Sequence, residues 1–212
     1  MDTERHPRPI KAPRRPRGAT RTVLLDACIE VVRAEGPAAV TTDRMARAAG
    51  ISQPGFYNHF KNTDELLRIA VVSVLEGMAT RQLTTWEQAN ATVPGDTLLT
   101  REHVRTQLDL MIPVFLSEPA FSDLYLRYRL DPTVLDGAVK RVADDVREQL
   151  TGQVWATSQR FGATAADYPS VALYAELLLG IYYRACEMIL AQRFEYDVVL
   201  ASTTDAISSL RV

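Results

Sequence analysis

Residues 41–61 read TTDRMARAAGISQPGFYNHFK. The stretch divides into a helix, a tight turn and a second short helix. Thr41 is suited to cap the first helix, its hydroxyl accepting an amide that the first turn leaves unpaired. Met45, Ala46 and Ala49 recur at helical spacing and make a small apolar face. Gly50 stands where that helix must stop, because glycine takes the left-handed C′ conformation without strain. Ser52 is placed to cap the second helix, and Pro54 is tolerated in a first turn, where amides lack intrahelical acceptors. Phe56 and Phe60, four apart, face Met45, Ala49 and Ile51. Gln53, Pro54, Tyr57 and Asn58 then point outward, with His59 and Lys61 at the helix end. The pattern predicts a helix-turn-helix with a polar and aromatic outer face suited to a DNA major groove. Spacing alone leaves an ordinary helical hairpin equally open.

The flanking residues resolve that choice. From about Thr20 to Leu67 the chain resembles the DNA-binding domain of TetR-family transcriptional regulators. The matching pieces are TRTVLLDACIEVV, Gly36, VTTDRMARAAGIS, and FYNHF followed by a capped helix. SQPGFYNHFKN is also similar to the recognition helix of the tetracycline repressor. Two positions depart from the family's pattern. Thr42 occupies a place usually apolar, and Thr63 stands where a phosphate-binding lysine is common, a role Lys61 can partly take. The resemblance and the motif together imply a DNA-contacting set of Thr41, Thr42, Ser52, Gln53, Pro54, Gly55, Tyr57, Asn58, His59 and Lys61. Gln53 suits an adenine edge and Pro54 a thymine methyl, while Tyr57, His59 and Lys61 suit phosphates.

Charge is distributed to match. Residues 1–61 hold eleven Lys/Arg against six Asp/Glu, and residues 62–212 hold thirteen against twenty. A basic N-terminal part beside an acidic remainder fits a nucleic-acid reader attached to a non-binding body. The first nineteen residues, MDTERHPRPIKAPRRPRGA, are rich in proline and arginine and predict a disordered basic arm. Such an arm is either simply solvated or adds phosphate and minor-groove contacts. With no apolar core it is not a secretory signal.

Hydrophobic residues make up 47% of 212, enough for a buried core. The most apolar run, residues 171–183, is interrupted by Glu176 and falls short of the ~20 residues that span a bilayer. The expectation is a cytoplasmic protein without membrane contact. Cys28 and Cys186 lie in apolar helical patterns and predict buried thiols, neither a disulfide framework nor a metal site. His6, His59 and His103 form no metal-binding spacing, and glycine-rich phosphate loops and GxSxG elbows are missing. No cofactor and no catalytic residue is expected.

The remaining elements read as helices throughout. Thr20–Glu35 carries the stripe Val23, Leu24, Ala27, Cys28, Val31 and Val32. Asn62 caps a helix that runs through Leu66, Ala70, Val71, Leu75 and Met78 towards Trp86, with Glu65 placed to complete a capping box. TVPGD at 92–96 is a break, followed by a helix to Leu116 with Pro113 near its end. A short helix lies between Pro119 and Pro132, a long one over Pro132–Phe161, and a final pair over Ser170–Arg193 and Asp197–Leu210. The fold class is all-α: a basic arm at 1–19, a three-helix DNA-binding domain at 20–66 and a helical ligand-binding and dimerisation domain at 67–212.

For that second domain the family resemblance implies a small-molecule pocket and a two-fold dimer. Aromatic and apolar candidates for the pocket are Trp86, Met111, Phe115, Phe121, Tyr125, Tyr128, Trp155 and Tyr182. Glu102, His103, Arg105, Gln107 and Asp109 are candidate polar anchors. Leu173, Leu177, Gly180, Ile181, Arg184 and Met188 share one face of the penultimate helix. With Ile207 and Leu210 of the last helix they are the expected homodimer interface, a four-helix bundle. Two reading heads about one helical turn apart, or a multiple of it, would read a palindromic duplex operator. The functional expectation is a repressor released by a small hydrophobic or aromatic effector. Alternatives are a non-allosteric architectural DNA binder and, using Glu102, His103 and Asp109 as acid–base groups, a small helical enzyme.

Overall fold

The computed structural model describes residues 17–91 and 100–210. Residues 1–16 of the expected basic arm and the expected break at 92–96 lie outside them. The described residues form α-helices and short 3-10 turns, with no strand among them.

The head is built from α1 (Arg17–Glu35), α2 (Thr42–Ala49), α3 (Gln53–Phe56) and the first turns of α4 (Thr63–Asn90). Thr41 and Gly50 bound α2 as expected. Thr41 is extended and its hydroxyl accepts from the Arg44 amide, while Gly50 is left-handed (φ 67°) with its amide returned to Ala46 and Arg47 carbonyls. The helix α3 is a single turn, shorter than the expected second helix. Pro54 and Gly55 are poor helix formers at its second and third positions. The chain continues to Phe60 through turn hydrogen bonds from the amides of Asn58, His59 and Phe60 to Gly55 and Phe56 carbonyls. Leu24, Cys28, Val32, Met45, Phe56 and Leu66 are fully buried together at the centre of the head.

Asn62 caps α4 by accepting from the Glu65 amide at 2.8 Å. The Glu65 carboxylate reaches one residue beyond the expected partner and accepts from the Lys61 amide at 2.6 Å. At 1.5 Å per residue α4 is roughly 42 Å long, so it serves head and body alike, and the division placed at residue 66 falls within it.

The body comprises the rest of α4 with α5 (Arg101–Leu116), α6 (Pro119–Tyr128), α7 (Ala138–Arg160), α8 (Tyr168–Leu190) and α9 (Tyr196–Ser208). Helix α4 packs on α5 and α7, α8 lies between α7 and α9, and α9 returns against α5. Ser122, fully buried, ties the end of α5 to α6 by donating to the carbonyls of Phe115 and Glu118. The long helix expected from Pro132 begins only at Ala138. Before it, Leu135, Asp136 and Gly137 are all left-handed, at φ 50°, 55° and 69°. Glycine is required at the last of these: a Cβ on Gly137 would stand 2.9 Å from the Pro132 carbonyl oxygen. One continuous apolar cluster runs from Leu24 in the head to Ile207 in α9. No helix among the described residues is long and apolar enough to cross a membrane.

Candidate nucleic-acid interface and internal cavity

Two short caps aim the outer face of the head. The Ser52 hydroxyl accepts from the Gly55 amide at 3.2 Å, starting α3 at Gln53. A Cβ on Gly55 would sit 3.3 Å from that hydroxyl oxygen, so glycine here keeps room for the cap. Phe56 is fully buried and anchors the turn, its ring tilted against Phe60 at 5.9 Å. Gln53, Pro54, Tyr57 and Asn58 are exposed on one surface, Tyr57 at 57%. Ser52, Thr41 and Lys61 are exposed beside it, and Thr42, Gly55 and His59 are half-buried. The Gln53 side-chain amide donates to Asp43 at 3.4 Å, which links the reading turn to α2. Asp43 also pairs with Arg47, and Arg44 pairs with Glu35, whose carboxyl that guanidinium holds below its ordinary range.

Two residues of this head escaped the sequence reading. Arg21 in α1 donates to the His59 carbonyl at 2.6 Å and lays its guanidinium 4.3 Å over the Phe60 ring, so it braces the end of the reading segment. Arg33, also in α1, grips the Glu118 carboxylate with two hydrogen bonds of 2.8 and 2.7 Å. Glu118 precedes α6, so the head has a second tie to the body besides α4. The paired guanidinium lowers the Glu118 carboxyl pKa. Arg68 of α4 and Asp136 of the left-handed turn form a second, looser ion pair of this kind at 3.7 Å. An arginine on a helix surface carries no mark of its distant partner in the sequence, and these contacts are visible only in three dimensions.

The body encloses two adjoining hollows between α4, α5, α7, α8 and α9. The inner one is narrow, about 50 Å³, and is walled by Gln82, Leu83, Leu108, Val146, Leu150 and Tyr183 among others. The outer one, about 500 Å³, is bordered by Asn90, Val154, Ser158, Phe161, Ser170 and Tyr174 among others. Trp86, Val104, Gln107, Leu178 and Ile207 border both. Of the aromatic and apolar pocket candidates, Trp86, Met111 and Tyr182 line the inner hollow. Phe115 and Tyr125 lie behind it, edge-to-face at 5.9 Å in an aromatic cluster with Tyr183. Phe121 is fully buried without bordering either hollow, Trp155 meets Tyr168 edge-to-face at 5.3 Å, and Tyr128 borders neither.

Buried polar groups collect along this cavity. The Tyr182 hydroxyl donates to the Met111 carbonyl at 3.0 Å and accepts from Gln82. Further along, the Gln107 side-chain amide donates to Asn90 at 2.6 Å and to the His103 Nε2 at 2.8 Å. The latter is the shorter of the two polar contacts of that ring nitrogen, the other being 3.2 Å to the Asn90 Oδ1. The bond from Gln107 to His103 needs a neutral imidazole, and burial lowers the His103 pKa below its ordinary 6.5 in the same sense. Of the expected polar anchors, only Gln107 borders the cavity. Glu102 and Asp109 are exposed on the far side of α5, and Arg105 pairs there with Asp109 at 3.1 Å. That arrangement leaves His103 without the carboxylates that the enzyme reading required. Gln82 and Asn90 were missed, although a signal exists: Met78, Gln82, Trp86 and Asn90 follow one another every fourth residue on the buried stripe of α4. Polar residues at core register mark a hollow or a network. Burial pushes the Cys28 thiol up to about 11 and Cys186 up to about 12, which disfavours the thiolate at both. No group of side chains able to hold a metal occurs among the described residues.

The outer face of α8 is bare. Leu173 is 60% and Leu177 44% exposed, Gly180 and Arg184 are exposed along the same face, and Ile181 and Met188 on it are half-buried. The opposite face, with Val171, Ala175, Leu178, Tyr182 and Cys186, is buried within the chain. Leu210 is half-buried at the end of the described residues. Ile207, expected on the outer face with these, points the other way and borders both hollows. The register of α9 places Thr203, Thr204 and Ile207 inward and Ser202, Asp205 and Ala206 outward.

Residues 24–69 match the family model of bacterial regulatory proteins, tetR family. The whole chain is similar in fold to a protein of Mesorhizobium loti assigned to the TetR-family transcriptional regulators, with a TM-score of 0.67 at 13% identity over 91% of this chain and 97% of that one. The transcriptional regulator FadR from Bacillus subtilis, solved in complex with stearoyl-CoA, has a TM-score of 0.56 at 16% identity, covering 89% and 97%. The multidrug binding protein EbrR complexed with proflavin has a TM-score of 0.56 at 18% identity, covering 89% and 98%. No curated protein matches the chain.

Proposed function

We propose that this chain, a TetR-family transcriptional regulator by its N-terminal domain and its fold, works as a two-fold dimer on palindromic duplex DNA and releases it when a small apolar ligand fills the body cavity. The observation that carries the DNA reading is the surface formed by Gln53, Pro54, Tyr57 and Asn58, exposed over a fully buried Phe56. Lys61, Ser52, Thr41 and Thr42 border it as phosphate contacts, and Tyr57 and His59 serve the same end. The uncovered apolar face of α8 supports the dimer, since an isolated chain would leave Leu173 and Leu177 to water. Solved neighbours of the same fold were captured with stearoyl-CoA and with proflavin, and the cavity in this body supports an effector of its own.

Release would follow if the ligand favours a body arrangement that moves α4, and with it the spacing of the two heads. A coupling of ~1–3 kcal/mol changes DNA affinity ~5–150-fold. The ion pair of Arg33 with Glu118 gives the body a second handle on the head. Operator sites selected from genomic fragments, followed by titration of variants, test the reading. Gln53→Ala should cost ~1–3 kcal/mol and relax preference at one base pair. Lys61→Ala should weaken binding on every sequence and flatten its salt dependence. A chain that sediments as a monomer and ignores all duplexes at low salt would end the proposal.

A further inference from the structure

We infer that the cavity takes an uncharged, largely apolar molecule with a single hydrogen-bonding group, and discriminates against anions and cations of the same size. This rests on the reading of the cavity as an effector site, and it concerns the chemistry of what enters.

The wall contains one charged side chain among the described residues, Asp167, at the edge of the outer hollow. Its carboxylate already accepts two hydrogen bonds of 2.8 Å, from the Thr164 amide and hydroxyl, in a capping box. The guanidinium of Arg160, beside the wall, is turned to the carbonyls of Asn90 and Ala91 and lies over Phe161. The sequence between Thr92 and Leu99 contains no lysine or arginine. A carboxylate or phosphate entering here would find no cation among the described wall residues to pair with, and an ammonium would find only a carboxylate that is already engaged. Burying an unpaired ion is far costlier than burying a hydroxyl or carbonyl that finds a partner.

The neutral polar groups, by contrast, are not all satisfied. Both hydrogens of the Gln107 amide are used, towards Asn90 and His103, while its carbonyl oxygen has no partner among the described residues. Tyr174 is in the wall of the outer hollow, its pKa is pushed up to about 12 by burial alone, and its hydroxyl likewise has no partner among the described residues. One acceptor and one donor therefore remain at the outer hollow. The inner end is different, because Gln82, Tyr182 and the Met111 carbonyl satisfy one another there and Leu83, Leu108, Val146 and Leu150 supply the wall. The ligand's polar end thus belongs near Gln107 and Tyr174, and its apolar end points inward.

Three probes with one tail separate the possibilities: decanol, decanoate and decyltrimethylammonium, each titrated below its micelle concentration. The full chain carrying Trp155→Phe leaves Trp86, in the wall of both hollows, as the only tryptophan and hence the reporter. Decanol should perturb its fluorescence saturably and bind at least ~10-fold more tightly than either ion. Tyr174→Phe and Gln107→Leu should each cut decanol affinity ~3–10-fold and narrow its lead over decanoate, with the ions themselves little affected. Either ion binding as tightly as the alcohol, or none of the three binding, overturns the inference. Operator affinity measured in the same samples keeps the two readings apart. Decanol bound with operator affinity unchanged would count against ligand-driven release while supporting the cavity chemistry.

Discussion

The head and the body are made of the same material and packed to different ends. In the head the interior is full: Leu24, Met45, Phe56 and Leu66 are each wholly buried, and the surface above them is held by caps at Thr41, Ser52 and Asn62. In the body α4, α5, α7, α8 and α9 border about 500 Å³ of unfilled space beside Asn90, Gln107 and Tyr174. A filled core with capped turns has few alternative arrangements, which suits a surface that must match base edges. A hollow with unsatisfied polar groups is an unfinished core, and whatever completes it stabilises one arrangement of the helices around it. The contrast teaches where stability is spent and where it is withheld.

Truncation is the strongest way to break that contrast. Phe56→Ala should destabilise the chain by ~3–5 kcal/mol, as expected for emptying a tight apolar site. Leu150→Ala, in the cavity wall, should cost nearer ~2 kcal/mol, the low end of its class, because its neighbours already face free space. Urea unfolding monitored by circular dichroism reads both, and equal costs would mean that the body is packed as tightly as the head. A smaller effect tests the caps. Thr41→Ala should lose ~1 kcal/mol of stability by freeing the Arg44 amide, and operator affinity should fall with it if the start of α2 orients the reading turn.

The tie between the regions should be no stronger. Arg33→Ala removes a half-buried pair with Glu118, and about 1 kcal/mol of thermal stability should go with it. Its sharper signature would be a reduced change in operator affinity on ligand binding, measured by anisotropy with and without decanol. The smallest expected effect concerns pH. His103 is held neutral below its ordinary value of 6.5, so the unfolded chain binds the proton first as the solution is acidified. Stability should therefore decline as pH falls below 6.5 and level off once the folded state is also protonated. His103→Gln should flatten that part of the profile; an unchanged slope would show that His103 does not contribute to it.

Much of the head was legible because its signals are local. A cap, a glycine stop, a proline in a first turn and two phenylalanines four apart act within ten residues, and α2, α3 and the start of α4 follow them closely. What failed there was also local in kind. Pro54 and Gly55 shortened α3 to one turn, and Glu65 reached Lys61 instead of Asn62. In the body, periodicity found the helices but not their neighbours. The left-handed residues Leu135 and Asp136 interrupt a stripe that reads as unbroken helix, because their conformation is imposed by packing before α7. Phe121 and Trp155 are aromatic like Trp86 and Tyr182, yet only the latter two border the hollow, since which face of a helix meets empty space is not a property of that helix.

The amino-acid order determined the all-α class, the helix-turn-helix and its outward residues, and the apolar stripe of α8, since each depends on backbone preferences and spacing within a few turns. Tertiary packing decided the rest: the grip of Arg33 on Glu118, the brace of Arg21 beneath His59, the inward turn of Ile207 and the hollow beside Gln107. Those depend on how separate helices approach one another, a distance set by the summed shapes of all their side chains and written at no single position in the chain.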